Sequence, residues 1–458
     1  MTNGFLEQKS RGGYFWETRK VCAAGCSPVT LRVMSEQLTP ETLLPGLEAE
    51  WERQGDIFDV TVNDQERIVL ANPADIHSIL TDGNYAEKGH FFGGIQLFGD
   101  EITSVSGAEW RKSRDITGPA FHRQAVKDMT SRVAAVGAKF ADDLRARDGE
   151  VINVQKEMTH LSLQTILGVL FGKHVETADR LAYQTLNETL EFATLPQNEI
   201  NNGDTQRKFM DHIVKLNDIA QGIIDRTRAA GHDQDSLDLP NLLVHSRDKQ
   251  TGEPLDDERI RNELLAFLFA GHETTSLTMT WFHKLLEDRS DITEKIQAEV
   301  DAVLGERTPQ LEDLSKLTYT RQVIDEVLRF RATVPLVSRT ARDDTKLGDR
   351  QIKSGDVVVP FIWGAHKHPD FWRNPEMFDP DRFSAEHSAG RDRRAYLPFG
   401  LGNRLCIGKA LALTELTVFA AALAQRTTFE MEPNDAQPAV YVTVRPDSPI
   451  HATVRSRP

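Results

Sequence analysis

The sequence contains little cysteine, no long apolar run and no excess of basic residues. Its 458 residues include three cysteines, too few for a disulfide framework, so we expect a reducing, cytoplasmic environment. No stretch approaches the roughly 18 apolar residues of a membrane span, and the N-terminus lacks the apolar core of a signal peptide. The formal net charge of −15 argues against nucleic acid as a partner, because phosphate contacts need clustered lysine and arginine.

The apolar residues that are present predict a mainly α-helical globular protein with a minor β part. With glycine they make up about 46% of the chain, which is typical of a folded domain. No repeat or low-complexity linker divides the chain, so we expect an irregular segment over 1–35 and a single domain over 36–458. Periodicity and capping residues predict helices near 43–51 and over 72–80, 108–228 with a break at 201–204, 256–286, 291–304, 315–330 and 408–424. Alternation and turn residues predict strands over 56–62, 67–71, 334–338, 346–347, 357–360 and within 429–454.

Cys406 stands alone in a glycine-rich loop directly before the last predicted helix. Residues 399–408 read Phe-Gly-Leu-Gly-Asn-Arg-Leu-Cys-Ile-Gly. A helix N-terminus and nearby N–H donors favour the thiolate, which is the form in which cysteine binds a metal. Gly402 and Gly408 allow a tight turn and a close approach to a flat ligand, and Arg404 can pair with an anionic group of that ligand. The alternative is an ordinary buried thiol.

This loop resembles the haem-binding loop of the cytochrome P450 family, F-x-x-G-x-R-x-C-x-G. All five fixed residues are present: Phe399, Gly402, Arg404, Cys406 and Gly408. At roughly one in twenty per position, a chance match in this chain is on the order of one in 10⁴, which outweighs the buried-thiol alternative. The resemblance implies the P450 fold, a triangular prism of helices around a buried haem b. It also implies that Cys406 is the axial ligand of the haem iron, whose thiolate favours O–O cleavage.

Three further residues match structural motifs of the family. Glu326 and Arg329 resemble its E-x-x-R motif, and Arg382 resembles the arginine of its P-x-R-F element. The E-x-x-R spacing also occurs at Glu50–Arg53, so the spacing alone is weak evidence for the motif. The order of the motifs upstream of the cysteine loop, however, matches the family. The resemblance implies a buried, fully paired network with a folding role rather than a catalytic one.

Residues 270–276 read Ala-Gly-His-Glu-Thr-Thr-Ser inside the predicted helix 256–286. Glycine, threonine and serine are poor helix-interior residues, although the hydroxyls can bond to the carbonyl four residues back. The segment resembles the A-G-x-E/D-T-T motif, which implies that Ala270 borders the haem and that Glu273 and Thr274 form a catalytic pair. Thr274 would lie beside dioxygen, while Glu273, about 100° away on the helix, would lead towards solvent and pass protons through water. We expect His272 on the solvent side or in the core, not as a ligand.

The haem propionates are assigned to three residues by the same resemblance. Trp110 and Arg114 match W-x-x-x-R, and their spacing places both on one helix face. Arginine is the better anion partner of the two. Arg339, which follows Val334-Pro-Leu-Val-Ser, is a further candidate by position. His366 and His368, in the loop before P-x-R-F, are expected to be structural rather than metal ligands.

The resemblance also places the substrate pocket. Its walls are expected from the loop 91–105, the region 192–200, the predicted long helix around Glu263, the segment 334–337 and the tail. The apolar residues at these positions are equally compatible with an ordinary hydrophobic core. The candidate pocket residues are Phe91, Phe92, Leu97, Phe98, Ala266, Phe267, Ala270, Val334, Leu336, Val337 and Val442.

Monooxygenation is the activity that the resemblance implies: one atom of O2 enters a lipophilic small molecule and the other becomes water. Only 52 residues follow Cys406, so we expect electrons from NAD(P)H to arrive through a separate ferredoxin or flavodoxin with its reductase. Arg111, Lys112 and Lys409 are candidates for a basic docking face, or are ordinary solvated charges. We expect a soluble bacterial monomer of the eukaryotic-like type.

Two alternatives stay open. One is a peroxide-driven haem peroxygenase, against which the Glu273–Thr274 pair speaks, because peroxide brings its own protons. The other is a non-enzymatic haem protein that binds a gas, for which a thiolate ligand with a proton relay would be an odd design. Product formation that depends on a reductant separates the three.

Overall fold

A computed structural model describes residues 39–62, 65–89, 98–172, 203–249 and 251–457. The expected irregular segment 1–35 lies outside these residues. So do the predicted pocket residues Phe91, Phe92 and Leu97 and the region 192–200.

Helices make up most of the described chain, which confirms the expected mainly α-helical class. None of these helices is both long and apolar enough to cross a membrane. The helices are α1 (Leu43–Gln54), α2 (Pro73–Thr81), α3 (Gly107–Thr117), α4 (Arg123–Arg145), α5 (Val154–Ile166), α6 (Gly203–Ala230), α7 (Leu239–His245), α8 (Asp257–Leu285), α9 (Ser290–Leu304), α10 (Thr318–Phe330), α11 (Ile362–Ala365), α12 (Ala385–Ser388) and α13 (Lys409–Arg426).

The strands form small sheets at the edges of the helical body. A five-stranded sheet has the order β1-β2-β8-β5-β3, in which only β2 and β8 are parallel, and a three-stranded sheet has the order β4-β12-β9. The pairs β6–β7 and β10–β11 are hairpins. The strands are β1 (Ile57–Val62), β2 (Gln65–Leu70), β3 (Glu87–Lys88), β4 (Val151–Asn153), β5 (Arg339–Thr340), β6 (Thr345–Leu347), β7 (Arg350–Ile352), β8 (Val357–Pro360), β9 (Thr427–Met431), β10 (Pro438–Val440), β11 (Val444–Pro446) and β12 (His451–Ser456).

Capping residues set the start of two predicted helices. The Asn72 side chain accepts the Ala74 N–H, and Pro73 occupies the first turn of α2, where its missing N–H costs nothing. Asp256 caps α8 in the same way, since its side chain accepts the Arg259 N–H at 2.8 Å. The predictions for these two helices are confirmed within one residue at each end.

The predicted strand over 334–338 is wrong. The chain is extended there but joins the sheet only at β5, Arg339–Thr340. Pro335 has no N–H to donate to a ladder, and the segment makes isolated bonds instead, from Val337 N to Pro360 O and from Trp363 N to Pro335 O. An apolar run with proline can therefore line a surface without being a strand.

Helix α8 runs through the middle of the core and is buried along most of its length. It approaches α5 so closely that a Cβ on Gly271 would lie 2.9 Å from the Ile166 side chain. A larger residue at this position would have to displace the end of the Ile166 side chain. The residues on either side of it belong to the candidate catalytic segment, so the backbone of that segment is held tightly against its neighbour.

Candidate active site around Cys406

The loop before α13 adopts a shape that requires glycine. Gly402 has φ +72°, and a Cβ at this position would lie 2.0 Å from the Leu80 carbonyl oxygen at the end of α2. The Cys406 N–H donates to Phe399 O at 3.0 Å, which closes the loop on itself. The cysteine is thus presented by a rigid turn.

The Cys406 thiol retains an exposed surface, yet it is surrounded by enough protein that burial raises its pKa. Three features act in the opposite direction and favour the thiolate. The backbone N–H groups of Gly408 and Lys409 are directed at the sulfur, and the positive charges of Arg114 and Lys409 lie nearby. Because Lys409 begins α13, the positive end of the helix dipole faces the sulfur as well. Cys406 is therefore equipped to be an anionic ligand.

Several basic side chains gather around this loop, and two of them have no ion pair with a carboxylate in the described part of the chain. In the described residues neither Arg114 nor Arg339 forms an ion pair with a carboxylate; Arg339 is buried and donates to Ser338 O at 2.9 Å. Burial and the neighbouring Arg404 lower the pKa of Arg339 to about 10. Lys88, which sequence reasoning missed, lies close to Arg339 and Arg404 and donates to Thr103 O. Concentrated, underpaired positive charge is stabilised by a bound anion.

Arg404 and Trp110 hold the rim of this cluster together. Arg404 donates to Val105 O at 2.7 Å and to Ser106 Oγ at 3.0 Å, and its guanidinium lies 5.1 Å from the centre of the Trp110 ring. Two of the residues predicted to bind anionic groups of the ligand, Arg404 and Trp110, are therefore adjacent. They join the cysteine loop to the start of α3.

The donor set fits a haem. A haem needs one protein ligand on the thiolate side and cations for two propionates; Arg114 lies near the Cys406 sulfur, and Arg339 lies near Arg404 of the same loop. Within the described ranges no three His, Cys, Asp or Glu side chains are close enough together to hold a metal ion by themselves.

The candidate catalytic segment of α8 carries an open surface inside a buried helix. Ala270 is exposed and Thr274 is half-buried, whereas Glu273 and Thr275 on either side of Thr274 are buried. The Thr274 hydroxyl donates to Ala270 O at 3.0 Å, so these two residues lie one above the other on one helix face. Helix α8 continues unbroken through them. His272 lies in the core with Nδ1 2.8 Å from Leu268 O, as expected for a residue that is not a ligand.

Glu273 does not lead to solvent as expected. Its side chain is 6% exposed, and its Oε1 accepts bonds from Thr443 Oγ1 at 2.9 Å and from Arg445 Nε at 2.8 Å. The expected path from Glu273 to solvent was wrong because it was inferred only from the direction in which the side chain leaves α8. Whether that direction reaches water depends on the tail of the chain, which covers it.

Glu326, Arg329 and Arg382 form the buried network that the motifs predict. Arg329 binds both oxygens of Glu326 at 2.7 Å, and Arg382 Nε approaches Glu326 Oε1 at 3.3 Å. Arg329 also donates to the carbonyls of His366 and Pro375 at 2.9 Å each. Since every charge is paired, the network ties α10 to the segment that precedes the cysteine loop.

The two histidines of that segment have structural contacts. His366 is fully buried and its Nε2 accepts the Leu397 N–H at 2.9 Å, while burial lowers its pKa to about 3. His368 Nε2 lies 3.2 Å from Asp56 Oδ1. Both histidines therefore have protein partners that fix their side chains.

The predicted pocket residues fall into two groups. Leu336, Val337 and Val334 are half-buried, and Val442 is 58% exposed, so these have surface available for a ligand. Ala270 also has exposed surface, on α8, whereas Phe98, Phe267 and Ala266 lie in the core. Phe98 contacts Phe269 at 6.1 Å between ring centres, Phe267 stacks on Phe121 at 5.5 Å, and Ala266 is buried.

Glu263 is not a pocket residue, contrary to its expected place in the wall. It is fully buried and accepts bonds from Ser113 Oγ at 2.5 Å, Arg259 Nε at 3.0 Å and Ile102 N at 3.2 Å. These contacts hold α3 and the turn before it on α8. The Glu263 carboxylate therefore does not line the pocket but fixes the position of α3 and of the preceding turn relative to α8.

Glu415 is a buried acid that sequence reasoning missed. It lies on α13, and its Oε2 accepts a bond from Thr275 Oγ1 at 3.1 Å, while Oε1 has no partner in the described residues. Burial raises the pKa of Glu415 to about 8. No local pattern marks it, because an acid in an amphipathic helix is ordinary until the neighbouring helix covers it.

The buried Glu415 is expected to make the protein less stable as the pH rises. Between the ordinary pKa of 4.5 and about 8, the folded state keeps a proton that the unfolded state has lost. Stability therefore falls through this window, by up to about 1.4 kcal/mol per pH unit from this one group. Glu415→Gln should remove that slope in the free energy of unfolding, measured by denaturant titration from pH 5 to 8. The exposed Glu432→Gln is the control, and an unchanged slope in Glu415→Gln would contradict the assignment.

Comparisons with known proteins agree with this geometry. The sequence profile of the family described as "Cytochrome P450" matches residues 49–454. Cyclooctat-9-en-7-ol 5-monooxygenase of Streptomyces melanosporofaciens is 29% identical over 417 residues, 88% of each chain. The bifunctional cytochrome P450/NADPH–P450 reductase 1 of Bacillus subtilis (strain 168) is 30% identical over 426 residues, 89% of this chain and 40% of that protein. The crystal structure of the cytochrome P450DA haem domain superposes with a TM-score of 0.80 at 28% identity, covering 91% of this chain and 94% of that one.

Proposed function

The chain belongs to the cytochrome P450 family and is a monooxygenase with the fold of that family, and on this premise we propose that it inserts one atom of O2 into a lipophilic small molecule. The observation that carries the proposal is the Cys406 loop. Its sulfur faces two backbone N–H groups at the start of α13 and lies beside Arg114, a cation without a carboxylate partner among the described residues. The proposed products are a hydroxylated or epoxidised substrate and water.

Bound haem would supply the reductive activation of dioxygen, and the protein would supply its ligand, charge and protons. Cys406 would hold the iron through its thiolate. Arg114 and Arg339, with Trp110 and Arg404 at the rim, would bind the propionates, since their charges are otherwise underpaired. Ala270 and Thr274 would border the dioxygen site, because they form the open face of α8.

A lipophilic substrate is supported by the side chains available for contact. Leu336 and Val337 are half-buried, Val442 is exposed, and none of the three can donate or accept a hydrogen bond through its side chain. The Streptomyces relative named above is, by its name, a monooxygenase of cyclooctat-9-en-7-ol. A terpenoid, fatty acyl, steroid or polyketide substrate fits these surfaces equally.

Electrons would come from NAD(P)H through a ferredoxin or flavodoxin with its reductase. Arg111 and Lys409 are exposed and available to an acidic partner, whereas Lys112 lies 3.9 Å from Asp248 and is already partly compensated. The Bacillus relative named above combines, by its name, a P450 with an NADPH–P450 reductase. For this chain a separate donor is the proposal.

The optical spectrum of the reduced, carbon monoxide-treated protein tests the proposal first. We expect the red-shifted Soret band of a thiolate-ligated haem. Purified protein should then form product with a reductant and O2. Product formation with peroxide alone would instead favour a peroxygenase, and haem without turnover would favour a gas-binding protein. A band at the position of a His-ligated haem, or no haem, would reject the assignment of Cys406.

Thr274→Ala is expected to keep the thiolate spectrum and to lower the product formed per electron about tenfold, with release of hydrogen peroxide. The hydroxyl of Thr274 is the donor that lies on the open face of α8, and alanine removes it without changing the fold. The measurement is the ratio of product and peroxide to electrons consumed. Thr280→Ala is the matched control, because its hydroxyl makes the same bond to the carbonyl four residues back, to Ser276 O at 2.8 Å, but is fully buried. Equal ratios in both variants would reject the role of Thr274.

A further inference from the structure

The turn between β10 and β11 and the start of β11 are bound to α8 by hydrogen bonds, and we call this segment, residues 441–445, the tail turn. Thr443 Oγ1 and Arg445 Nε both donate to Glu273 Oε1, at 2.9 and 2.8 Å. Further along α8, Trp281 Nε1 donates to Val444 O at 3.0 Å. Two of these three contacts end on a single carboxylate of the candidate catalytic segment.

Arg445 is itself held in a defined orientation. Its guanidinium lies over the Tyr441 ring, 5.6 Å from the ring centre, and its backbone pairs with Ala439 across the hairpin. The Arg445 side chain is only 14% exposed, and Glu273 is 6% exposed. A carboxylate with so little water around it needs a partner of opposite charge to offset its lost hydration, and Arg445 is that partner.

The two donors also determine which oxygen of Glu273 is occupied. Both end at Oε1, and among the described residues no donor contacts Oε2. A carboxylate held by one oxygen still has acceptor sites on the other oxygen. The pairing therefore fixes the orientation of the group without blocking it.

We propose that Thr443 and Arg445 are positioning residues that hold Glu273 in the orientation for proton transfer, so that the tail turn controls proton delivery at the site. The proposal rests on the proposed monooxygenase function. The same turn presents Val442, which is 58% exposed, as a candidate substrate contact. A substrate that moves the tail turn would thereby move the two donors of Glu273.

Two pairs of variants test this. Thr443→Val removes the hydroxyl donor, and Thr443→Ser keeps it; Arg445→Gln removes the charge, and Arg445→Lys keeps it. We expect Thr443→Val to lower product per electron about threefold and Arg445→Gln about tenfold, with the carbon monoxide spectrum and the KM within about twofold of the wild type. The serine and lysine variants should recover most of the loss. Arg455→Gln, in an exposed pair with Glu430, is the control and should change nothing.

A second measurement does not depend on turnover. If Arg445 compensates the charge of Glu273, the effects of Glu273→Gln and Arg445→Gln on the free energy of unfolding should not add. The double variant should then be no less stable than Arg445→Gln alone. Additive effects would overturn the pairing. Unchanged product per electron in Thr443→Val and Arg445→Gln would overturn the positioning role. Failure of the proposed function is a separate result, because the wild type would then lack the thiolate spectrum or reductant-dependent product.

Discussion

Cys406→Ser is expected to abolish the red-shifted carbon monoxide band and to reduce product formation to background. Burial raises the pKa of the Cys406 thiol, but two backbone N–H groups, the start of α13 and Arg114 all favour negative charge at the sulfur. A serine hydroxyl stays protonated at neutral pH, so it cannot replace a thiolate that donates electron density to iron. The measurements are the reduced carbon monoxide spectrum and single-turnover product formation.

Cys22→Ser is the matched control, since it removes a thiol that sequence analysis assigns no role. It should leave spectrum and activity unchanged. If Cys406→Ser kept the thiolate band, another residue would have to be the ligand. The assignment of Cys406 from the motif and from the loop geometry would then be wrong.

Arg329→Ala is expected to cost about 3–5 kcal/mol of folding free energy, because it leaves the Glu326 carboxylate buried without its main partner. Both side chains are fully buried, and Arg329 also donates to backbone carbonyls of the segment before the cysteine loop. A domain is commonly stable by only about 5–15 kcal/mol, so this loss is large. Denaturant or thermal unfolding measures it, and low soluble yield would be the first sign.

Arg53→Ala provides the comparison, because Glu50 and Arg53 have the same E-x-x-R spacing in the same chain. The Arg53 side chain is 44% exposed, so its pair should contribute about 0–1 kcal/mol. Removing both charges, in Glu326→Leu with Arg329→Met, should cost less than Arg329→Ala alone, since no buried carboxylate is left without its main partner and Arg382 keeps its bonds to the carbonyls of Asn374 and Met377. Equal losses in Arg53→Ala and Arg329→Ala would show that the buried network has no special role.

Local sequence patterns predicted the parts of the site that local forces build. The cysteine loop is ten residues long, and its glycines and the helix that follows it are enough to place N–H groups at the sulfur. The cap at Asp256 likewise starts α8 where expected. Periodicity failed at 334–338, where Pro335 interrupts a run that otherwise has the composition of a strand.

The sequence by itself determined the helical class, the glycine-rich turn that presents Cys406 and the course of α8 through residues 270–276, because each depends on residues within about one to three helical turns of one another. Only the tertiary structure decided which charges are paired. Glu273 meets Arg445, 172 residues away, and Glu415 becomes a buried acid only when α8 covers it. Burial and charge pairing are properties of surfaces brought together by folding, and no spacing along the chain encodes which surfaces meet.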